Sequence, residues 1–343
     1  MGPYDEGYNR NEPPVYSTGH GFYNPYAEPE WKREKKRIRG ASNGIGLASI
    51  GYVAISFAAS SAMYMALTML MRFTSIDFEA AEWIMTLGIY IISLAVPFGI
   101  YMLCIKMPLG VALPFRKPKA DLAAGSLFVG LGVGVVASYA SAYLQAGLEV
   151  FGIGITMPEY DVPQSLPALI LYILTMTVAP AFIEEMVFRG VVMQSLRRFG
   201  DTFALVASAL IFGIFHLNLI QMPYAFIYGL CIGYFVMRTG SLWVGVLMHF
   251  VNNCVATVFT LIEPAVSENT YTMLNLFYNL ASVLLGIIAV CLLLAKYRDM
   301  FHFVKAPGIL SPGKRVQYFI TAPALIVSMV IAVLLTMQYD YIM

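Results

Sequence analysis

The chain has 343 residues, of which 59% are hydrophobic and only 12% are charged. Because about a quarter of the residues in a soluble globular domain are charged, this composition excludes a soluble fold and predicts a protein that crosses a membrane several times. The formal net charge of +1 gives no indication of an acidic partner, and we expect no nucleic-acid partner.

The N-terminal stretch, up to about residue 40, differs in composition from the rest of the chain. It is rich in Tyr, Pro, Gly, Asn and Glu and has no apolar periodicity, which is typical of disorder. It ends in the basic run "WKREKKRIR", residues 31–39. We therefore expect residues 1–40 to form a disordered tail whose basic end binds anionic lipid headgroups.

Residues 41–343 are predicted to form a multi-pass membrane domain. A helix that crosses a bilayer needs roughly 17–25 apolar residues. The chain has nine apolar runs, of which the fifth and sixth are short and separated only by "LIQM": 45–71, 83–105, 122–148, 166–196, 203–218, 223–236, 242–262, 273–294 and 316–337. The runs are continuous rather than alternating, so we predict an all-α transmembrane bundle of eight or nine spans.

The lysines and arginines predict the orientation of this bundle. If the N-terminus is cytoplasmic, nearly all of them fall in cytoplasmic segments, and only Arg72 lies on the other side. The opposite loops, "SIDFEAAE", "MPEYDVPQ" and "EPAVSENT", contain acidic residues and no basic ones. This asymmetry predicts a cytoplasmic N-terminus, and we expect the protein to lie in a bacterial cell membrane.

Few ionisable side chains lie inside the apolar runs, and such residues are candidates for function because they are costly in a bilayer. They are Glu184, Glu185, Arg189, His216 and His249, and the amide of Asn253 accompanies them. Residues four apart share one face of an α-helix, whereas neighbours differ by about 100°. Glu185 and Arg189 are therefore predicted to pair, while Glu184 needs a partner on another helix or a proton.

The depths of four of these residues predict that they meet in one layer of the membrane. At 1.5 Å per residue, they lie roughly 12–20 Å from the predicted cytoplasmic ends of their helices: Glu184, His216, His249 and Asn253. A carboxylate with one imidazole can take a proton from water, and a His/Asn pair can donate to an oxyanion. Pro180 removes a backbone hydrogen bond one turn earlier, which would loosen the helix around Glu184. The set is therefore suited to hydrolysis.

Three motifs carry a resemblance to a known family. "EEMVFR" at 184–189 fits EExxxR, "FGIFH" at 212–216 fits FxxxH, and "HFVNN" at 249–253 fits HxxxN. In this order they resemble the CAAX-processing and bacteriocin-processing (CPBP, or "Abi") family of intramembrane endopeptidases, which includes the CAAX prenyl endopeptidase. The resemblance covers about residues 166–258, within the predicted membrane domain.

The resemblance implies a role for each of these positions. Glu184 with His216 would activate water, and His249 with Asn253 would stabilise the oxyanion. Glu185 and Arg189 would support the structure. The substrate would be a membrane-embedded or membrane-associated peptide. We favour a glutamic-type mechanism without a metal.

Other functions remain open from the sequence. A metalloendopeptidase could use Glu184, His216 and His249 as zinc ligands, although no HExxH motif is present. A proton-coupled transporter could use the same side chains as a relay, but the sequence has no internal repeat. A non-catalytic scaffold or immunity protein would not require the full set of motif residues.

Overall fold

A computed structural model describes residues 28–73, 77–155, 161–300, 303, 308–337 and 340–342. The chain is almost entirely helical, and two three-residue strands pair antiparallel. The helices are α1 (Glu30–Phe73), α2 (Phe78–Cys104), α3 (Ala120–Val150), α4 (Leu166–Phe199), α5 (Asp201–Ile214), α6 (Gln221–Thr239), α7 (Leu242–Ile262), α8 (Glu268–Lys296), α9 (Pro312–Ile320) and α10 (Pro323–Thr336), with a one-turn helix at Leu109–Ala112. The strands are β1 (Ile153–Ile155) and β2 (Asp340–Ile342).

The predicted all-α polytopic fold is confirmed, but the predicted number of spans is not. Six helices within the described residues are long and apolar enough to cross a membrane: α1, α2, α3, α4, α7 and α8. The number becomes seven if α9 and α10 form one span, bent by 66°. The bend precedes Pro323, which has no backbone N–H and cannot continue the hydrogen bonding of α9.

Helices α5 and α6 account for the rest of the difference. The 14 residues of α5 extend for about 21 Å, less than the roughly 30 Å hydrocarbon core. Residues 215–220 reverse the chain, with Leu217 at a φ of 50°, and α6 packs back along α5. Because the chain enters and leaves this helical hairpin on the same side, the hairpin adds either no span or two spans. In both cases the later loops stay on the sides of the membrane that the sequence predicts.

The N-terminal end of α1 corrects the predicted limit of the tail. Residues 1–27 lie outside the described residues, but α1 already begins at Glu30, so the basic run is helical. Lys, Arg and Glu favour helices, and a tertiary contact anchors this end. The Glu34 carboxylate accepts a 2.9 Å hydrogen bond from Arg315 Nε. It also accepts hydrogen bonds from the backbone N–H groups of Ile309 and Leu310. Arg315 also donates to the carbonyl of Phe199 at 3.0 Å.

The loops assemble at two opposite ends of the bundle. At one end, Lys296 at the end of α8 pairs with Asp121 at the start of α3. At the other end, the Ser165 hydroxyl donates to Asp77 at 2.5 Å, and β1 pairs with β2. The first end carries the loops with basic residues, and the second end carries the loops with acidic residues, as the charge pattern of the sequence separates them. That the basic end is cytoplasmic stays a prediction.

Helices α3 and α8 cross at two glycines. A Cβ on Gly132 would lie 3.3 Å from the Cα of Gly286, and a Cβ on Gly286 would lie 3.2 Å from the Cα of Gly132. Larger side chains would push the two backbones apart, because small residues are what permit so close an approach between membrane helices. The crossing fixes the position of α8 against α3.

Candidate active site

Helix α4 carries three of the predicted site residues and is not a regular α-helix throughout. Its turns widen to i→i+5 spacing at Leu174–Val178 and again at Glu185–Val192, on both sides of the regular turns at Ala179–Glu184. Pro180, which cannot donate a backbone hydrogen bond, lies just after the first wide segment. Wide turns of this kind often occur at functional sites. The sequence predicts a loosened helix here but not the second wide segment.

Glu185 and Arg189 form the predicted ion pair. Arg189 Nη1 lies 2.7 Å from Glu185 Oε1, and both side chains have an exposed fraction of 0%. The guanidinium carbon of Arg189 lies 4.1 Å from the ring centre of Phe212, in a cation–π contact. Space for the carboxylate comes from Gly245 on α7, where a Cβ would lie 2.8 Å from Glu185 Oε2. The pair is therefore fully enclosed by protein.

Glu184 has different surroundings. Its side chain is 16% exposed, and its two oxygens face two other helices. The hydroxyl of Tyr90 on α2 donates to Oε1 at 2.6 Å, while Oε2 lies 3.7 Å from His249 Nε2 on α7. Of the two alternatives that the sequence left for Glu184, a partner on another helix or a proton, the structure shows the first. Tyr90 is a site residue that the sequence analysis missed, because one tyrosine in an apolar run belongs to no motif.

His249 bridges the two glutamates. Its Nδ1 lies 3.0 Å from Glu185 Oε1, and because a carboxylate only accepts, this nitrogen carries the hydrogen. Its Nε2 lies 3.7 Å from Glu184 Oε2, so one imidazole lies between the two carboxylates.

His216 lies just beyond the end of α5, in the turn of the helical hairpin. Its Nδ1 donates to the carbonyl of Phe212 at 2.9 Å, so in the neutral ring Nε2 has a lone pair for a proton. The ring of Phe212 lies edge to face with both imidazoles, at centroid distances of 4.8 and 5.9 Å. Phe212 therefore packs against both histidines.

Asn253 lies one turn after His249 on α7 and is half-buried. Its Oδ1 accepts a 3.4 Å bond from Asn252 Nδ2, so its own amide hydrogens remain for another acceptor. No hydrogen bond within the described ranges joins Asn253 to Glu184 or to a histidine. Asn252 is held by a neighbouring helix, since Tyr224 on α6 donates to its Oδ1 at 2.5 Å.

The proposed zinc ligands do not form a ligand set in this arrangement. Zinc requires ligands about 2.0–2.3 Å from one common point. In the part of the chain that the structure describes, no three His, Cys, Asp or Glu side chains are arranged to hold a metal ion. The Nδ1 atoms of both histidines and one oxygen of Glu184 are engaged in hydrogen bonds. Histidines that bind a metal through Nε2 have the same kind of hydrogen bond at Nδ1, so the choice between the metal-free and the zinc mechanism stays a prediction.

Comparison with known families identifies one match. Residues 166–255 match the family model described as "Type II CAAX prenyl endopeptidase Rce1-like". No curated protein and no solved structure matches the chain. The matched segment extends from α4 into α7 and includes all six predicted site residues, whereas Tyr90 lies outside it.

We expect the buried ion pair to act on stability. Either Glu185→Gln or Arg189→Gln leaves the other charge buried without a full partner, which should lower the free energy of unfolding by about 3–5 kcal/mol. Thermal unfolding of the purified protein in detergent measures this loss, with Glu82→Gln on exposed α2 surface as the matched control. A Glu185→Gln variant of wild-type stability but without activity would mean that the roles of the two glutamates are reversed.

Proposed function

Because residues 166–255 belong to the CPBP family of Rce1-like CAAX endopeptidases, we propose that the protein is an intramembrane endopeptidase with Glu184 as its base. The family supports a CAAX-type membrane protease in general terms. Our proposal adds the reacting groups and a substrate class, a peptide bond in a membrane-associated protein or peptide. It also places the N-terminus in the cytoplasm.

The observation that carries this proposal is the contrast between the two adjacent glutamates. Glu185 is enclosed and neutralised by Arg189, so it cannot reach a substrate. Glu184 remains partly accessible and has Tyr90 on one oxygen and His249 near the other. A carboxylate that is held in place yet accessible is what general-base catalysis requires.

The reaction follows from these positions. Glu184 takes a proton from a water molecule that also donates to Nε2 of His216, and the resulting hydroxide attacks the carbonyl carbon of the peptide bond. The carbonyl oxygen becomes an oxyanion, which accepts hydrogen bonds from protonated His249 and from the Asn253 amide. Glu184 then gives its proton to the leaving nitrogen, and the C–N bond breaks to yield a carboxyl and an amine product.

Tyr90 and Glu185 act through other residues in this scheme. Tyr90 fixes one oxygen of Glu184, which keeps the other oxygen directed towards the water. Glu185 accepts from His249 Nδ1 and so orients the imidazole. No step requires a metal ion.

Substitution of the base is the first test. Glu184→Gln is nearly isosteric and removes the proton acceptor, so hydrolysis should fall by about 10² to 10⁴. The assay uses purified protein and a library of membrane-spanning peptides, with and without a chelator, and Glu82→Gln is the control. Near-full activity in a folded Glu184→Gln variant would rule out the mechanism, and loss of wild-type activity on chelation would rule out its metal-free form.

The hydrogen bond from Tyr90 predicts a smaller effect. Tyr90→Phe removes one bond to a charged group, of about 1.5–3 kcal/mol, so kcat should fall about 10-fold or more while KM changes little. Tyr64→Phe, at an exposed tyrosine of α1, is the matched control. If kcat is unchanged in Tyr90→Phe, the hydroxyl does not position the base.

Asn253 separates a protease from a proton relay. Asn253→Ala should lower kcat by about 10² to 10³ with little change in KM, as loss of one oxyanion donor does. Asn253→Asp should be at least as harmful, because it places a negative charge beside the oxyanion. An active Asn253→Asp together with an inactive Asn253→Ala would contradict the oxyanion role and favour a transporter with a proton relay.

A further inference from the structure

A polar cavity of about 390 Å³ lies beside the active site, between α3, α6, α7 and α8. Its volume falls in the range of sites that bind small ligands, about 300–1,000 Å³. Its lining combines apolar residues with several that carry a polar group. Those with a polar group are Ser138, Tyr139, Tyr224, Asn252, Asn275, Tyr278 and Asn279.

The crossing of α3 and α8 at Gly132 and Gly286 positions this cavity. The residues of α3 that line the cavity, from Gly134 to Ala142, follow the crossing, and those of α8, from Asn275 to Asn279, precede it. The helices run antiparallel, so both lining stretches lie on the same side of the crossing. The cavity therefore lies between the two helices on one side of their crossing.

The asparagines of α8 lie among apolar residues, and Asn275 is also hydrogen-bonded to Tyr271 of the same helix. Their neighbours Leu276, Phe277 and Leu280 are exposed apolar residues that suit contact with lipid. Asn279 donates to Asn275 Oδ1 at 2.7 Å. An Asn amide has two hydrogens and an acceptor oxygen, so this contact uses only one of the three hydrogen-bonding groups of Asn279. Polar groups at membrane depth are costly and are candidates for binding.

A direct contact connects the cavity to the proposed active site. Asn252 lines the cavity, and its amide donates to Asn253, the proposed oxyanion donor. Tyr224, which also lines the cavity, holds Asn252 in place from α6. A ligand in the cavity would therefore lie one side chain away from the reacting groups.

We propose that this cavity binds an extended segment of the peptide substrate next to the bond that is cleaved, an inference that rests on the proposed peptidase function. An extended peptide exposes backbone N–H and C=O groups, which need partners inside a membrane because water is absent there. Asparagine amides supply both donors and acceptors, whereas a lipid acyl chain would gain nothing from them. The amides of Asn275 and Asn279 pair with this backbone, in the way that a sheet edge recognises a peptide.

Kinetics on the peptide library test the proposal. The double variant Asn275→Leu/Asn279→Leu should raise KM at least 10-fold and change kcat less than 2-fold, because the substituted groups bind substrate but do not react. Asn269→Leu, an exposed asparagine on the first turn of α8, is the matched control. An unchanged KM in a double variant of wild-type thermal stability would overturn the substrate site, while the activity itself would still support the peptidase.

Photo-crosslinking gives a readout that needs neither hydrolysis nor the double variant. Benzoylphenylalanine at Tyr278, which lines the cavity, is compared with the same residue at exposed Phe277, both in a Glu184→Gln background. We expect the biotinylated peptide library to crosslink at least 5-fold more at position 278. Equal crosslinking at the two positions, or crosslinking to lipid alone at 278, would overturn the proposal. If the wild type hydrolyses no peptide but position 278 captures peptide, the site stands and the proposed catalysis fails.

Discussion

The buried carboxylate of Glu185 is the constraint on which the rest of the structure depends. An ionised group in a low-dielectric interior costs several kcal/mol unless it is paired and hydrogen-bonded. Arg189 supplies the opposite charge from the same helix, and His249 supplies a donor from α7. Gly245 lets the backbone of α7 approach closely enough for this contact. The need to neutralise one charge therefore joins α4 to α7 and fixes the imidazole that the proposed mechanism uses.

The same constraint separates the functions of two adjacent residues. Glu184 and Glu185 differ by about 100° in direction on the helix. Glu184 is the last residue of the regular turns, and Glu185 is the first residue of the wide segment. Glu185 is directed into the protein, where it is neutralised. Glu184 is directed towards α2 and keeps some accessibility. Two chemically identical side chains thus acquire a structural and a proposed catalytic role from their surroundings alone.

Elements outside the segment matched to the family complete both the site and its surroundings. Tyr90 comes from α2, and the polar cavity is bounded by α3 and α8 as well as by α6 and α7. The matched segment provides the groups that we propose to react. The other helices position one of these groups and supply half of the cavity where we propose that the substrate binds. Differences in those helices would change the substrate without changing the chemistry.

The sequence by itself determined the class of fold and indicated six residues of the candidate site. Apolar runs fix where helices form, and the i, i+4 spacing of Glu185 and Arg189 fixes their pairing, because both are local properties of the chain. Six of the site residues were identified because charged and amide groups are conspicuous in an apolar context.

Only the tertiary structure decided what depends on contacts between distant parts of the chain. The short helix α5 turns back as half of a hairpin, and α1 begins ten residues earlier than composition indicates, anchored by Arg315. Tyr90 reaches Glu184 across 94 positions of sequence, and Asn275 and Asn279 come together with Asn252 only through the crossing of α3 and α8. Tyrosine and asparagine are also common in ordinary packing, so their role follows from their neighbours, which helix packing selects and sequence spacing does not encode.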